Sequence, residues 1–114
     1  MTEIQGIARM KIHPGKLGEF KQLAAKCMEL ARTKDTGTLR YDLYFNSNET
    51  ECIVHELYRD SESLLAHAKN LGDTMTAILE TCTAVGEILG NPSPALRKAL
   101  EGSPVQIFTP YQSM

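Results

Sequence analysis

The chain has 114 residues, 42% of them hydrophobic and 23% charged, with 12 basic and 14 acidic side chains giving a formal net charge of −2. This composition suits one folded domain spanning residues 1–114, and the intermixed signs leave no basic footprint for DNA or RNA. Glu3, Arg9 and Lys11 interrupt the first apolar stretch, so neither a signal peptide nor a membrane span is expected there, and a cytoplasmic location is expected.

Ile4, Ala8, Met10 and Ile12 recur at even spacing, the period of a strand, until His13-Pro14-Gly15 ends it. From Lys16 to about Thr33 the apolar residues Leu17, Phe20, Leu23, Ala24, Cys27, Met28 and Ala31 follow helical spacing. Asp35-Thr36-Gly37 is turn chemistry. Leu39, Tyr41, Leu43 and Phe45 then alternate with more polar neighbours as a second strand, and the polar loop 47–50 separates it from CIVHELY, a third strand and so a hairpin.

Asp60-Ser61 offers capping oxygens to a helix whose Leu64, Ala68 and Leu71 share one face. Gly72 breaks or kinks it, and Asp73 restarts a second piece carrying Met75, Ile78 and Leu79. Residues 83–89 suggest a fourth strand, weakened by Gly86. Ser93-Pro94 starts a brief helix closed by Gly102, and Val105, Ile107 and Phe108 suggest a last strand. The order is the ferredoxin-like βαββαβ arrangement of an α+β fold, with a core of about 3–90 and a C-terminal helix-strand extension of about 91–114.

Several chemistries lack their signatures. Cys27, Cys52 and Cys82 are an odd number with no CxxC pair, so they read as packing residues and not as disulfides, nucleophiles or zinc ligands. His55-Glu56 starts like HExxH but meets Arg59 at the fifth position, on a strand, and the three histidines fall on separate elements; no metal site is expected. GxSxG, P-loop and GxGxxG motifs are absent, and Asn48-Glu49-Thr50 reads as hairpin loop, not as a glycosylation site.

One constellation carries chemistry. A four-residue loop at 47–50 pairs Leu43 with Val54, Tyr41 with Glu56 and Leu39 with Tyr58, and opposite residues share a face. Glu56 and Tyr58 then lie under the helices, whereas a one-residue slip would place His55 there. His67, three residues after Leu64 and four before Leu71, sits on the inward stripe of its helix. Tyr41, Glu56, Tyr58 and His67 are thereby expected together, either as a polar contact inside a small core or as an acid–base site with perturbed carboxyl and imidazole groups. The tyrosines would orient a substrate oxygen, with Met10, Met28 and Leu64 as apolar walls.

The stretches GIARMKIHPGKLGEF and GTLRYDLYFNSNETECIVHELYRDSESLLAHAKN resemble the antibiotic-biosynthesis monooxygenase domain of the dimeric α+β barrel superfamily, over about residues 4–80. The resemblance rests on the proline-glycine turn, on Gly37 and Tyr41, and on Glu56-x-Tyr58-x-Asp60 followed by His67; ILGNPSPALRKAL resembles a longer form of that domain. It implies a homodimer that covers the helix-free sheet face carrying Ile53 and Leu57. It further implies a cofactor-independent monooxygenase that combines a small aromatic quinol or phenol with O₂. In that reading His67 is the base and Glu56 holds its tautomer. The position of Tyr58 often holds Trp in the family, and this chain has none. The Asn and late His of haem-degrading members are missing too, so haem is not expected. An isomerase or tautomerase using the same pair, or a non-catalytic small-ligand-binding dimer, are the alternatives.

Overall fold

The computed structural model describes residues 2–114. In chain order it contains β1 (Ile4–Ile12), α1 (Leu17–Lys34), β2 (Thr38–Phe45), β3 (Glu51–Tyr58), α2 (Ser61–Leu71), α3 (Asp73–Leu79), β4 (Cys82–Leu89), α4 (Pro94–Leu100) and β5 (Val105–Phe108). The strands form one sheet in the order β2-β3-β1-β4-β5, antiparallel except for the β4–β5 pair. The expected α+β order and C-terminal extension are therefore present. No described helix is long and apolar enough to cross a membrane.

Local chemistry explains the boundaries. Asp60 caps α2 by accepting from the Ser63 backbone N–H at 2.8 Å, and Ser93 caps α4 by accepting from the Leu96 N–H. Gly72 separates α2 from α3 with a φ of 49°, in the left-handed region that costs glycine least. The Asn46 side-chain oxygen accepts from the backbone of Thr50 and Glu51, which closes the hairpin.

That closure fixes the hairpin register expected from the loop length: Leu43 faces Val54 and Tyr41 faces Glu56. The same count fails at the end of the strand. A bulge between Thr38 and Arg40 pairs Thr38 with Tyr58, so Leu39 has no partner and is 54% exposed instead of facing the core. Gly86 does not interrupt β4, which is regular from Cys82 to Leu89.

The four helices of the described residues all contribute to the cover over one sheet face. One cluster joins Phe20 of α1 and Ile78 of α3 to Cys52, Val54 and Cys82; another joins Leu96 of α4 to Ile4 and Ile88. The three cysteines are free and buried, and burial pushes each thiol's pKa up. Side chains on the opposite face of the sheet carry no helix: Tyr44, Ile53, Val85 and Phe108 are exposed there, beside an Arg9–Glu87 ion pair.

Candidate functional site

Between sheet and helices lies a cavity of about 380 Å³. Its floor is open because neighbouring positions of β1 and β4 lack bulk: Ala8 faces Gly86, with Gly6 and Ala84 on the diagonals of the same face. A Cβ at Gly86 would lie 3.1 Å from the Ile7 carbonyl oxygen, tighter than ordinary contact. The run of small residues at face-sharing positions is a sequence signal for the cavity that hydrophobic periodicity alone overlooks.

Tyr41, Glu56 and His67 line this cavity, as do Met10 and Leu64. Tyr58 is fully buried behind Glu56 and donates its hydroxyl hydrogen to Glu56 Oε1. The rings of Tyr41 and Tyr58 flank the imidazole, their centroids 4.8 and 5.4 Å from it. Tyr58 is a correction: packed beside His67 but absent from the cavity wall, it meets Glu56 and not a substrate oxygen, so three of the four residues expected together reach the cavity, whereas His55 lies on the other face and contacts Gln5. Met28 is a correction. One helical step beyond Cys27 rotates it by about 100°, away from the cavity and into a shallow groove with Arg32 and Arg40.

The role expected of Glu56 is also corrected. The carboxylate that holds His67 is Asp35, whose Oδ2 lies 2.6 Å from His67 Nδ1. Asp35 is the C-cap residue of α1, where the chain turns toward β2. It also accepts from Asn70 Nδ2 at 2.8 Å and from Thr38 Oγ1 at 2.7 Å. Burial acts to raise its pKa, but the hydrogen bonds from Asn70, His67 and Thr38 outweigh that and hold the carboxyl below its ordinary range. An ionised carboxylate only accepts, so Nδ1 carries the hydrogen and Nε2 is the free ring nitrogen. No fully buried side-chain nitrogen or oxygen among the described residues lacks a partner, so Nε2, which has none, meets the cavity.

Glu56 is perturbed in the opposite sense. Burial pushes its carboxyl up, against the lowering effects of the Tyr58 hydrogen bond and of His67. Burial likewise raises the hydroxyls of Tyr41 and Tyr58, with Cys27 adding to the first and Glu56 to the second. One side of the site thus holds an oriented imidazole and the other a buried carboxyl that keeps its proton to higher pH than an exposed one. Among the described residues no three His, Cys, Asp or Glu side chains converge as a metal site requires.

Comparison with known proteins agrees with this architecture. No curated protein sequence matches the chain. MupZ from Pseudomonas fluorescens is similar in structure over 100% of this chain and 94% of its own, with 23% identity and a TM-score of 0.87. Rv0793 from Mycobacterium tuberculosis covers 82% of this chain and 99% of its own at 22% identity and a TM-score of 0.70. SnoaB, a cofactor-independent oxygenase from Streptomyces nogalater, covers 82% of this chain and 96% of its own at 14% identity and a TM-score of 0.70. These likenesses establish the fold. The family model described as antibiotic biosynthesis monooxygenase matches residues 6–80, about two-thirds of the sequence, and the chain belongs to that family.

Proposed function

We propose that the cavity binds a small, largely apolar molecule with an oxygen-bearing head group, and that His67 acts on it as a general base. The observation that carries this reading is that His67 lines an apolar cavity with Nε2 unpartnered while Nδ1 is tied to the buried Asp35. A proton leaving the substrate moves to Nε2, and Asp35 stabilises the imidazolium that forms. Glu56 in its protonated form, backed by Tyr58, donates to the oxygen on which negative charge develops.

The reaction assigned is cofactor-independent oxygenation of a phenol- or quinol-type substrate, supported by the family and by the likeness to SnoaB. A ring CH₂ activated by the phenolic system loses its proton to His67, and the carbanion transfers one electron to O₂. The two radicals join in a C–O bond to give a peroxide, which is protonated by the imidazolium. Loss of water leaves C=O, so one CH₂ and one O₂ become one carbonyl and one H₂O. A second reading, isomerisation by proton removal at His67 and return from Glu56, is favoured by an imidazole and a carboxyl of raised pKa on one cavity. An oxygen electrode with anthrone as substrate separates them. Oxygenation requires one O₂ consumed per carbonyl formed and a loss of roughly 100-fold or more in folded His67→Ala. Equal uptake by the two proteins would remove His67 from the mechanism, and turnover without oxygen would favour isomerisation.

The assembly assigned is a homodimer. The described chain exposes 7379 Å², roughly 1,200 Å² more than the ~6,200 Å² typical of a monomer of its mass. Tyr44, Ile53, Val85 and Phe108 contribute to this surplus on the open sheet face, which a second copy would cover.

A further inference from the structure

The cavity crosses the whole sheet. Tyr41 on β2, Glu56 on β3, Ala8 on β1, Gly86 on β4 and Val105 on β5 all line it. Four inter-strand steps at about 4.8 Å make a trough roughly 19 Å long. A molecule that fills it from end to end is therefore longer than a single ring. Polarity is unevenly placed along it. Tyr41, Glu56 and His67 gather at the β2–β3 end, whereas the far end presents Val105, Leu100 and Pro104. Ser103, also at that end, spends its hydroxyl on the Leu100 carbonyl at 2.6 Å.

The far wall lies beyond the stretch shared with the family, which ends at residue 80. It is nonetheless fixed to the fold. The Ser93 N–H donates to Ser61 Oγ at 2.9 Å, Leu96 is fully buried, and β5 pairs in register with β4 from Gly86 to Leu89. The turn between α4 and β5 is tied to β4, where the Gly86 N–H reaches the Pro104 carbonyl at 3.4 Å.

We propose that the substrate is elongated. Its oxygenated head sits at His67 and Glu56, an aliphatic tail lies along the trough toward β5, and the segment from Leu100 to Val105 sets the length of tail accepted. This rests on the proposed function for the identity of the head group only.

The test is calorimetric titration of the full chain with phenol, 4-ethylphenol, 4-butylphenol, 4-hexylphenol and the compact 1-naphthol. Burial of each methylene is expected to raise affinity about fourfold in the wild type. Val105→Trp should bind phenol and 4-ethylphenol as the wild type does but gain nothing beyond butyl. If circular dichroism shows that variant to be unfolded, Pro104→Trp on the exposed turn blocks the same end. Tighter binding of 1-naphthol than of 4-hexylphenol, a flat series, no binding by any member, or an unchanged series in both folded blocked variants would overturn the proposal. Oxygen uptake with anthrone alongside a flat series would sink the elongated substrate and leave the base in place. A rising series in an enzyme indifferent to His67→Ala would do the reverse.

Discussion

Replacing Asp35 removes the acceptor on which three side chains converge. His67 Nδ1, Asn70 Nδ2 and Thr38 Oγ1 all lie within 2.8 Å of its carboxylate oxygens, and the Asp35 and His67 side chains are each 4% exposed. In Asp35→Ala the Thr38 hydroxyl can turn to water, but His67 is left with an unmet buried donor and Asn70 with one partly shielded. At about 1–3 kcal/mol for each unmet group, and about 3–5 kcal/mol for breaking a buried pair, the expected loss is about 3–5 kcal/mol. Asp35→Asn keeps the shape and one acceptor but sets an amide N–H against a donor where the second oxygen was, so about 1–3 kcal/mol is expected. Urea unfolding at neutral pH, followed by circular dichroism, measures both. Turnover should fall roughly 100-fold in folded Asp35→Asn, because the imidazole loses the partner that fixes its tautomer. Both variants within about 0.5 kcal/mol of wild type would refute the energetic reasoning. An unstable but fully active Asp35→Asn would show that Asp35 holds the fold and does not position the base.

The two buried carboxyls should give opposite pH dependences. Glu56, raised by burial, stabilises the fold fully below its unfolded value of about 4.3 and loses that contribution as pH rises through its higher folded value, so Glu56→Gln should gain relative to wild type across that rise. Asp35, which its hydrogen bonds hold low against burial, contributes above about 3.9 and is lost as pH falls through its folded value; urea midpoints from acid to neutral pH read both trends. Gly37→Ala would drive its Cβ into Ser63 Oγ, which is pinned by a 2.7 Å hydrogen bond to Asp60, and should cost about 1–3 kcal/mol in the same assay. Ile53→Arg on the open sheet face should yield a folded monomer where the wild type sediments as a dimer; a monomeric wild type at micromolar concentration would remove the dimer.

Local spacing made much of this molecule legible. Alternation, helical spacing and capping residues located the nine elements of the described residues, and the loop of the first hairpin set the pairing of Tyr41 with Glu56. Counting stopped working where geometry departs from regular periods. The bulge at Leu39 moved that side chain out of the ladder, and the one-step rotation from Cys27 to Met28 turned an apolar residue away from the cavity. Locally Asp35 reads as a turn former, and it does cap the end of α1. Its second role depends on the end of α1 meeting His67 of α2, 32 residues later, and no local rule carries that distance. Glu56 is in the site as expected, but its close partner is Tyr58, two residues along the same face. Gly86, read as a weakness in a strand, together with Ala8 creates space for a ligand.

Nitrogen-detected NMR of His67 in protein labelled with ¹⁵N at histidine tests the central claim most directly. In the neutral ring the account requires the hydrogen on Nδ1, held by Asp35, and a bare Nε2 whose resonance shifts when 4-ethylphenol is added. A hydrogen on Nε2, or an Nε2 resonance unmoved by saturating ligand, would contradict it.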